Sequence, residues 1–84
     1  MQIVGFEEGK YPKKYIAILN DDGKIKKVSF GHQDYQQYQD RTPLRLYSHL
    51  NHLDKKRREL YYKRHNKEYP IYSADWFSKT YLWS

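Results

Sequence analysis

Residues 13–30, KKYIAILNDDGKIKKVSF, decide the fold of this 84-residue chain. The first part, KKYIAIL, is rich in residues that favour β-strands, and the last part, IKKVSF, alternates polar and apolar side chains. The intervening NDDGK is a turn sequence centred on Asp22 and Gly23. The segment therefore predicts a β-hairpin with Val28 and Phe30 on its buried face.

A first helical pattern follows the hairpin. Thr42 and Pro43 form a typical helix start, with a hydroxyl N-cap and then proline at the first helical position. Leu46, Leu50 and Leu53 then recur at i, i+4 and i+7, which predicts an amphipathic helix.

Capping residues predict two further helices. Asp54 is a candidate N-cap for a basic helix from Lys55 to about Asn66. Ser73 is the corresponding candidate for a C-terminal helix from Ala74 to about Trp83. One long bent helix in place of the first two helices is the alternative.

These patterns predict an α+β fold in which an N-terminal β-hairpin packs against two or three helices. The length favours one small basic domain, 1–84, with an N-terminal segment (1–12), the hairpin (13–31) and a helical part (34–83). Because the chain lacks cysteine, its ten Tyr, three Phe and two Trp must supply much of the buried area. The expected core residues are Leu19, Val28, Phe30, Leu46, Leu50, Leu60, Phe77, Tyr81 and Leu82.

The net charge of +6 is distributed unevenly along the chain. Residues 1–42 hold seven basic and six acidic side chains, whereas residues 43–84 hold nine basic and four acidic ones. Seven of these Lys and Arg residues lie in DKKRRELYYKRHNK, residues 54–67. Such a surface favours polyanions or acidic partners. No segment has the ~20 consecutive apolar residues of a membrane span, so we expect no membrane partner.

A helical wheel sorts the cations of this basic segment. Lysines fall on the outer side, whereas two arginines fall near Leu60 and Tyr61, where a guanidinium can stack and pair. The side chains assigned to holding the fold are Arg57, Arg64, Phe77, Tyr81 and Trp83. The side chains assigned to nucleic-acid contacts are Lys55, Lys56, Arg58, Lys63, Lys67, Tyr62 and His65.

Simpler structural explanations compete with these assignments. The lysines can form an ordinary solvated helix face. Each of the two arginines can form an ion pair with Asp34, Asp40 or Asp75.

The histidines give a weak signal for a metal site. His49 and His52 could share a helix face, but zinc would need further ligands such as His32 or Asp54. We therefore predict no metal site and no cofactor.

The signal for catalysis is equally weak. Asp40, Arg57 and His65 could form a nuclease-like constellation, although no motif requires it. We therefore predict no catalytic residues and no enzymatic activity.

Several blocks of the sequence, in this order, resemble a small family of basic, tyrosine-rich proteins from large and giant DNA viruses. The blocks are KKY at Lys13–Tyr15, VSFG at Val28–Gly31, DYQQY at Asp34–Tyr38, DKKRRELYYKRH at Asp54–His65 and SADWFSKTYLW at Ser73–Trp83. The resemblance implies a viral origin and a location in the virion or in the cytoplasm or nucleus of the infected host cell. It implies no particular activity, so the hypotheses on function depend on the residues.

The leading hypothesis is a small, non-enzymatic nucleic-acid-binding protein that contacts phosphates with little sequence preference. DNA is the expected ligand, and genome packaging is one role of this kind. The alternative is a structural virion or assembly protein that binds acidic surfaces of other virion proteins. A metal-dependent nuclease is the third hypothesis.

Overall fold

The structure is a computed structural model that describes every residue from Met1 to Ser84. It has the predicted α+β fold, in which a three-stranded antiparallel sheet of order β1-β2-β3 is followed by two α-helices. The elements are β1 (Gln2–Glu8), β2 (Tyr15–Asp21), β3 (Lys24–Phe30), α1 (Lys55–Arg64) and α2 (Ala74–Leu82).

Strands β2 and β3 form the predicted hairpin, which is closed by the pair Asp21 and Lys24. Asp22 and Gly23 fill the two-residue loop with φ angles of 50° and 84°. This left-handed conformation matches the twist of the flanking strands. The Asn20 side chain accepts a hydrogen bond from the Gly23 amide at 2.8 Å, which fixes the turn further.

The N-terminal segment 1–12 contributes a third strand, β1, which pairs with β2. Its Phe6 packs edge-on against Phe30, with ring centroids 6.2 Å apart. A register shift between Ile3 and Gly5 interrupts the strand. Because such a shift breaks strict alternation, a period-two pattern does not reveal this strand.

One face of the sheet and α2 enclose the core. Its buried members are Tyr15, Ala17, Leu19, Phe30, Phe77 and Leu82. Among the other residues expected there, Val28 and Tyr81 pack against this cluster, and Leu50 is half-buried. Leu46 and Leu60 are exposed, so the prediction that they are buried is wrong.

The helix predicted from Thr42 onward does not form. The only helical element between β3 and α1 is a short 3-10 helix at Ser48–Leu50. Arg45 has a φ of 51°, which a right-handed helix does not accommodate. Leu53 is exposed as well, so the leucines of this segment form no buried stripe.

A buried carboxylate explains why this loop is not helical. Asp40 accepts hydrogen bonds from the backbone amides of Thr42 at 3.0 Å and Tyr47 at 3.1 Å. The Asn51 side chain in turn accepts from the Asp40 amide at 2.8 Å. These side chains satisfy backbone groups that would otherwise require a helix or strand.

Both remaining helices begin where they were predicted. The Asp54 carboxylate accepts from the amides of Lys56 at 2.9 Å and Arg57 at 3.2 Å. The Ser73 hydroxyl accepts from the Trp76 amide at 3.2 Å. Each cap satisfies amides that the first helical turn leaves unpaired.

Candidate functional site

Helix α1 is attached to the rest of the protein along one side. Tyr61 is its only buried residue. The Tyr61 ring stacks on Trp83, with centroids 4.4 Å apart and planes 2° from parallel. His65 also stacks on Tyr61 at 4.4 Å, so Tyr61 lies between the two rings. Burial raises the pKa of Tyr61 to about 12, which keeps its hydroxyl neutral.

This orientation reverses the roles that the wheel gave to the arginines. Arg57 and Arg64 are exposed, so the prediction that they face the interior is wrong. Arg58 is instead half-buried, and its guanidinium carbon lies 4.4 Å from the centroid of the Tyr38 ring. The wheel placed Leu60 on the side opposite the lysines, but Leu60 is exposed and Tyr61 is the buried residue of α1.

The basic side chains of α1 have no acidic partner within ion-pair distance. The structure contains two ion pairs, Lys26–Asp21 and Lys27–Glu7, each at 3.1 Å. Both lie in the sheet, so the ion pairs considered for Arg57 and Arg64 do not form. The positive charge of the hairpin is thus partly neutralised, whereas that of α1 is not.

An exposed group of lysines lies on α1 and in the segment just after it. We call the exposed side chains of Lys55, Lys56 and Lys63 on the helix, together with Lys67 beyond its end, the α1 lysine face. The first turn of α1 contains no acidic residue. Because the N-terminus of a helix is the positive end of its dipole, lysines there do not favour helix formation.

Two residues assigned to nucleic-acid contacts already have partners within the protein. The Tyr62 hydroxyl donates to the Trp83 carbonyl at 2.8 Å, and the Lys79 ammonium lies 5.3 Å from the Tyr62 ring centroid. His65 Nδ1 lies 2.9 Å from the Tyr69 hydroxyl. In the structure these contacts fix α1 and the segment that follows it.

The aromatic residues assigned to the fold lie in or beside the core. Phe77 is fully buried. Tyr81 and Trp83 are half-buried and pack against the core cluster. The aromatic residues at the end of α2 therefore pack against the core, and Trp83 also holds α1 in place.

A cleft of about 670 Å³ opens between loop residues 31–37 and the two helices. We call it the basic cleft, and its Lys and Arg lining residues are Lys13, Lys14, Arg57 and Arg64. Asp34 and Asp75 also line it, which leaves two more basic than acidic side chains. Arg57 and Arg64, which are exposed and do not face the interior, thus lie at the wall of this cleft.

Lys14 is the lining residue whose environment the sequence did not indicate. It is 1% exposed, and its ammonium donates to the Tyr35 carbonyl at 2.7 Å and to the side chain of Gln37. Burial lowers the pKa of Lys14 to about 8, against an opposing effect of Asp40. Its partners lie more than one element away, so no local pattern predicts them.

The nuclease-like constellation is not assembled. Arg57 and His65 line the basic cleft, but Asp40 does not. Asp40 is buried and accepts hydrogen bonds from the hydroxyls of Tyr15 and Thr42. Its carboxylate oxygens therefore accept hydrogen bonds that hold the loop and do not face the cleft.

The histidines considered for zinc do not converge. No group of three or more His, Asp or Glu side chains is close enough to hold a metal ion. His52 Nδ1 accepts from the Asp54 amide at 3.0 Å, and His52 Nε2 is buried without a partner. Burial, and then the charge of Arg57, lowers the pKa of His52.

Comparison with known proteins gives no functional assignment. No protein-family model matches the chain, and no curated protein or solved structure shows significant similarity to it. Neither helix has the length and apolar character that crossing a membrane requires.

Proposed function

We propose that this protein binds nucleic acid through phosphate contacts and does not act on it as an enzyme. The α1 lysine face supplies the contacts, and the expected ligand is DNA. An α-helix with a dense array of cations can follow a phosphate backbone without reading bases.

The main support is the unpaired charge of α1. The helix, KKRRELYYKR, holds six basic side chains and one acidic side chain, and none of the six is in an ion pair. Three of the cations occupy the first turn, against the helix dipole. The side chains of Lys55 and Lys56 make no hydrogen bond or ion pair within the protein, so a ligand is the better explanation for these cations.

The expected binding is weak and tolerant of sequence. The lysines are flexible point charges, whereas base recognition requires side chains held in planar, bidentate geometry. Nonspecific binding of this kind typically has a Kd of about 10⁻⁴–10⁻⁶ M at physiological salt.

The resemblance to viral proteins indicates where the protein would act and which nucleic acid it would bind. The nucleic acid is then a viral genome, and the protein acts in the virion or the infected host cell, with genome packaging as one such role. Other virion proteins are further partners. The alternative function, attachment to acidic protein surfaces, uses the same lysines, so the two must be separated by experiment.

A salt titration tests the proposed function. Binding to duplex DNA is measured by fluorescence anisotropy over a series of salt concentrations, with polyglutamate as the control polyanion. We expect log affinity to fall linearly with log salt, with a slope of about 0.9 for each phosphate contacted. Absence of DNA binding at low salt, or tighter binding to polyglutamate, would contradict it.

A further inference from the structure

The basic cleft has free hydrogen-bond donors at its wall. A guanidinium carries five N–H donors. Arg57 uses one of them in the structure, from Nη1 to Gln36 Oε1 at 2.8 Å. Arg64 is exposed and forms neither a hydrogen bond nor an ion pair with another side chain. Because Arg57 and Arg64 lie two helical turns apart on α1, their donors can converge on one extended anion.

The acidic residues of the cleft offset only part of this charge, because two carboxylates face four basic side chains. Asp34 accepts a hydrogen bond from the Tyr11 hydroxyl at 2.5 Å, which holds it at the rim. Asp75 lies in the first turn of α2, where a carboxylate complements the helix dipole. Lys14 adds positive charge from beneath the cleft, although its ammonium is bound to protein acceptors.

One wall of the cleft presents an aromatic ring. Tyr35 lines the cleft and is 66% exposed. One face of its ring stacks on His32 at 4.3 Å, so the exposed area is its other face and edge. A rigidly supported ring beside cations is the arrangement that binds an unpaired base together with its phosphate.

The size of the cleft selects among nucleic acids. A volume of about 670 Å³ lies within the range of small-ligand pockets, roughly 300–1,000 Å³. A cavity of this size can admit one nucleotide of a single strand, whereas a base that is paired and stacked inside a duplex cannot reach its wall. A duplex is therefore expected to contact the exposed α1 lysine face.

We propose that the basic cleft binds single-stranded nucleic acid, with a phosphate held by Arg57 and Arg64 and a base stacked on Tyr35. This inference rests on the proposed function and extends it, because it predicts that the protein prefers single strands to duplexes. The α1 lysine face serves both forms, whereas the cleft serves only the single strand.

The test compares the affinity of the full chain for labelled oligothymidylate and for duplex DNA of the same length. The cleft variants are Tyr35→Ala and the double variant Arg57→Gln with Arg64→Gln. The matched variant of the outer surface is Lys56→Gln with Lys63→Gln. Lys10→Gln, an exposed lysine outside both surfaces, controls for the loss of a charge.

We expect the wild type to bind oligothymidylate more tightly than duplex DNA. Tyr35→Ala should lower the single-strand affinity about tenfold, the typical effect of losing one stacked base, and should leave duplex affinity within about twofold. The arginine double variant should lower single-strand affinity by more than it lowers duplex affinity, whereas the outer double variant lowers both affinities about equally. Asp75→Asn removes the unengaged carboxylate of the cleft and should raise the affinity for oligothymidylate.

Two results would overturn the inference. Equal losses of single-strand and duplex binding in the cleft variants would show that the arginines act only as general positive charge. Unchanged oligothymidylate binding in Tyr35→Ala would show that no base stacks there. By contrast, a wild type that binds neither form at low salt would overturn the proposed function itself. Thermal melting of each variant confirms that it is folded.

Discussion

The ammonium of Lys14 donates a hydrogen bond to the side-chain carbonyl of Gln37, and both side chains are buried, with 1% and 0% of their surfaces exposed. The amide of Gln37 continues the network by donating to the Tyr47 carbonyl and to Asn51 Oδ1, both at 2.7 Å. A lysine immediately before β2 is thereby connected to the loop that precedes α1. This network, and not a helix, organises residues 31–54.

The buried lysine predicts how stability depends on alkaline pH. The folded-state pKa of Lys14 is about 8, below its ordinary value of 10.5. Between these pH values the unfolded chain binds more protons than the folded protein, so stability rises with pH. The free energy of unfolding, measured by urea denaturation, should therefore increase from pH 8 towards pH 10.

Two tyrosines should reverse this trend at higher pH. The pKa values of Tyr15 and Tyr61 are raised from 10.0 to about 12, mainly by burial. Above pH 10 the unfolded chain loses these protons first, so stability falls. In Lys14→Met the rise below pH 10 should be absent, whereas the exposed control Lys13→Met should retain it. A rise of equal size in Lys14→Met would refute this explanation.

The buried carboxylate predicts a matched pair of tyrosine variants. The Tyr15 hydroxyl donates to Asp40 and accepts from the Leu46 amide at 2.9 Å. Tyr15→Phe should lower the free energy of unfolding by roughly 1–3 kcal/mol, because it leaves the Leu46 amide without its partner and removes one hydrogen bond to the buried Asp40 carboxylate. The control Tyr35→Phe removes a hydroxyl from a ring that is 66% exposed and should change stability by less than ~0.5 kcal/mol. Equal effects in thermal or urea denaturation would argue against an essential role for Asp40 in the loop.

The attachment of α1 through a single buried side chain predicts local unfolding. Tyr61→Ala removes the ring that lies between Trp83 and His65. We expect α1 amides to exchange rapidly in this variant while β2 amides stay protected, since the core cluster does not include Tyr61. Hydrogen exchange followed by NMR measures both. The control Leu60→Ala changes an exposed position of the same helix and should leave the α1 amides protected. If Tyr61→Ala instead loses protection throughout the sheet, α1 does not unfold independently of the core.

The exposed lysines predict an effect on binding without an effect on stability. Lys56→Glu combined with Lys63→Glu should weaken binding to all DNA sequences about equally and reduce the salt slope. The melting temperature should stay within a few degrees of the wild type, because both side chains are solvated. Sequence-dependent losses in a competition assay would instead indicate base contacts.

The sequence correctly predicted the structural elements that depend on neighbouring residues. The Asp22-Gly23 turn and the caps at Asp54 and Ser73 form as expected, because each depends on residues within a few positions of one another. Strand β1 was missed, since its pairing with β2 is a tertiary property and its alternation is interrupted at Gly5.

The errors in the candidate site come from contacts between residues that are distant in sequence. Leucine spacing from Leu46 to Leu53 suggested a helix, and the helical wheel of α1 placed Leu60 and Arg57 on its buried side. The side chains of Asp40 and Asn51 instead satisfy the backbone of that loop, so α1 is oriented by the stacking of Tyr61. Sequence spacing reveals neither buried hydrogen bonds between distant residues nor aromatic stacking between distant rings, so it could not place Arg57 and Arg64 at the cleft.

The most direct measurement is an NMR titration of the isotope-labelled protein with oligothymidylate and, separately, with duplex DNA at low salt. We expect both ligands to shift the backbone amide signals of α1, Lys55–Arg64, and only oligothymidylate to shift those of Tyr35 and Gln36 at the basic cleft. Shifts confined to the hairpin tip around Asp22, or no shifts with either ligand, would contradict nucleic-acid binding by α1.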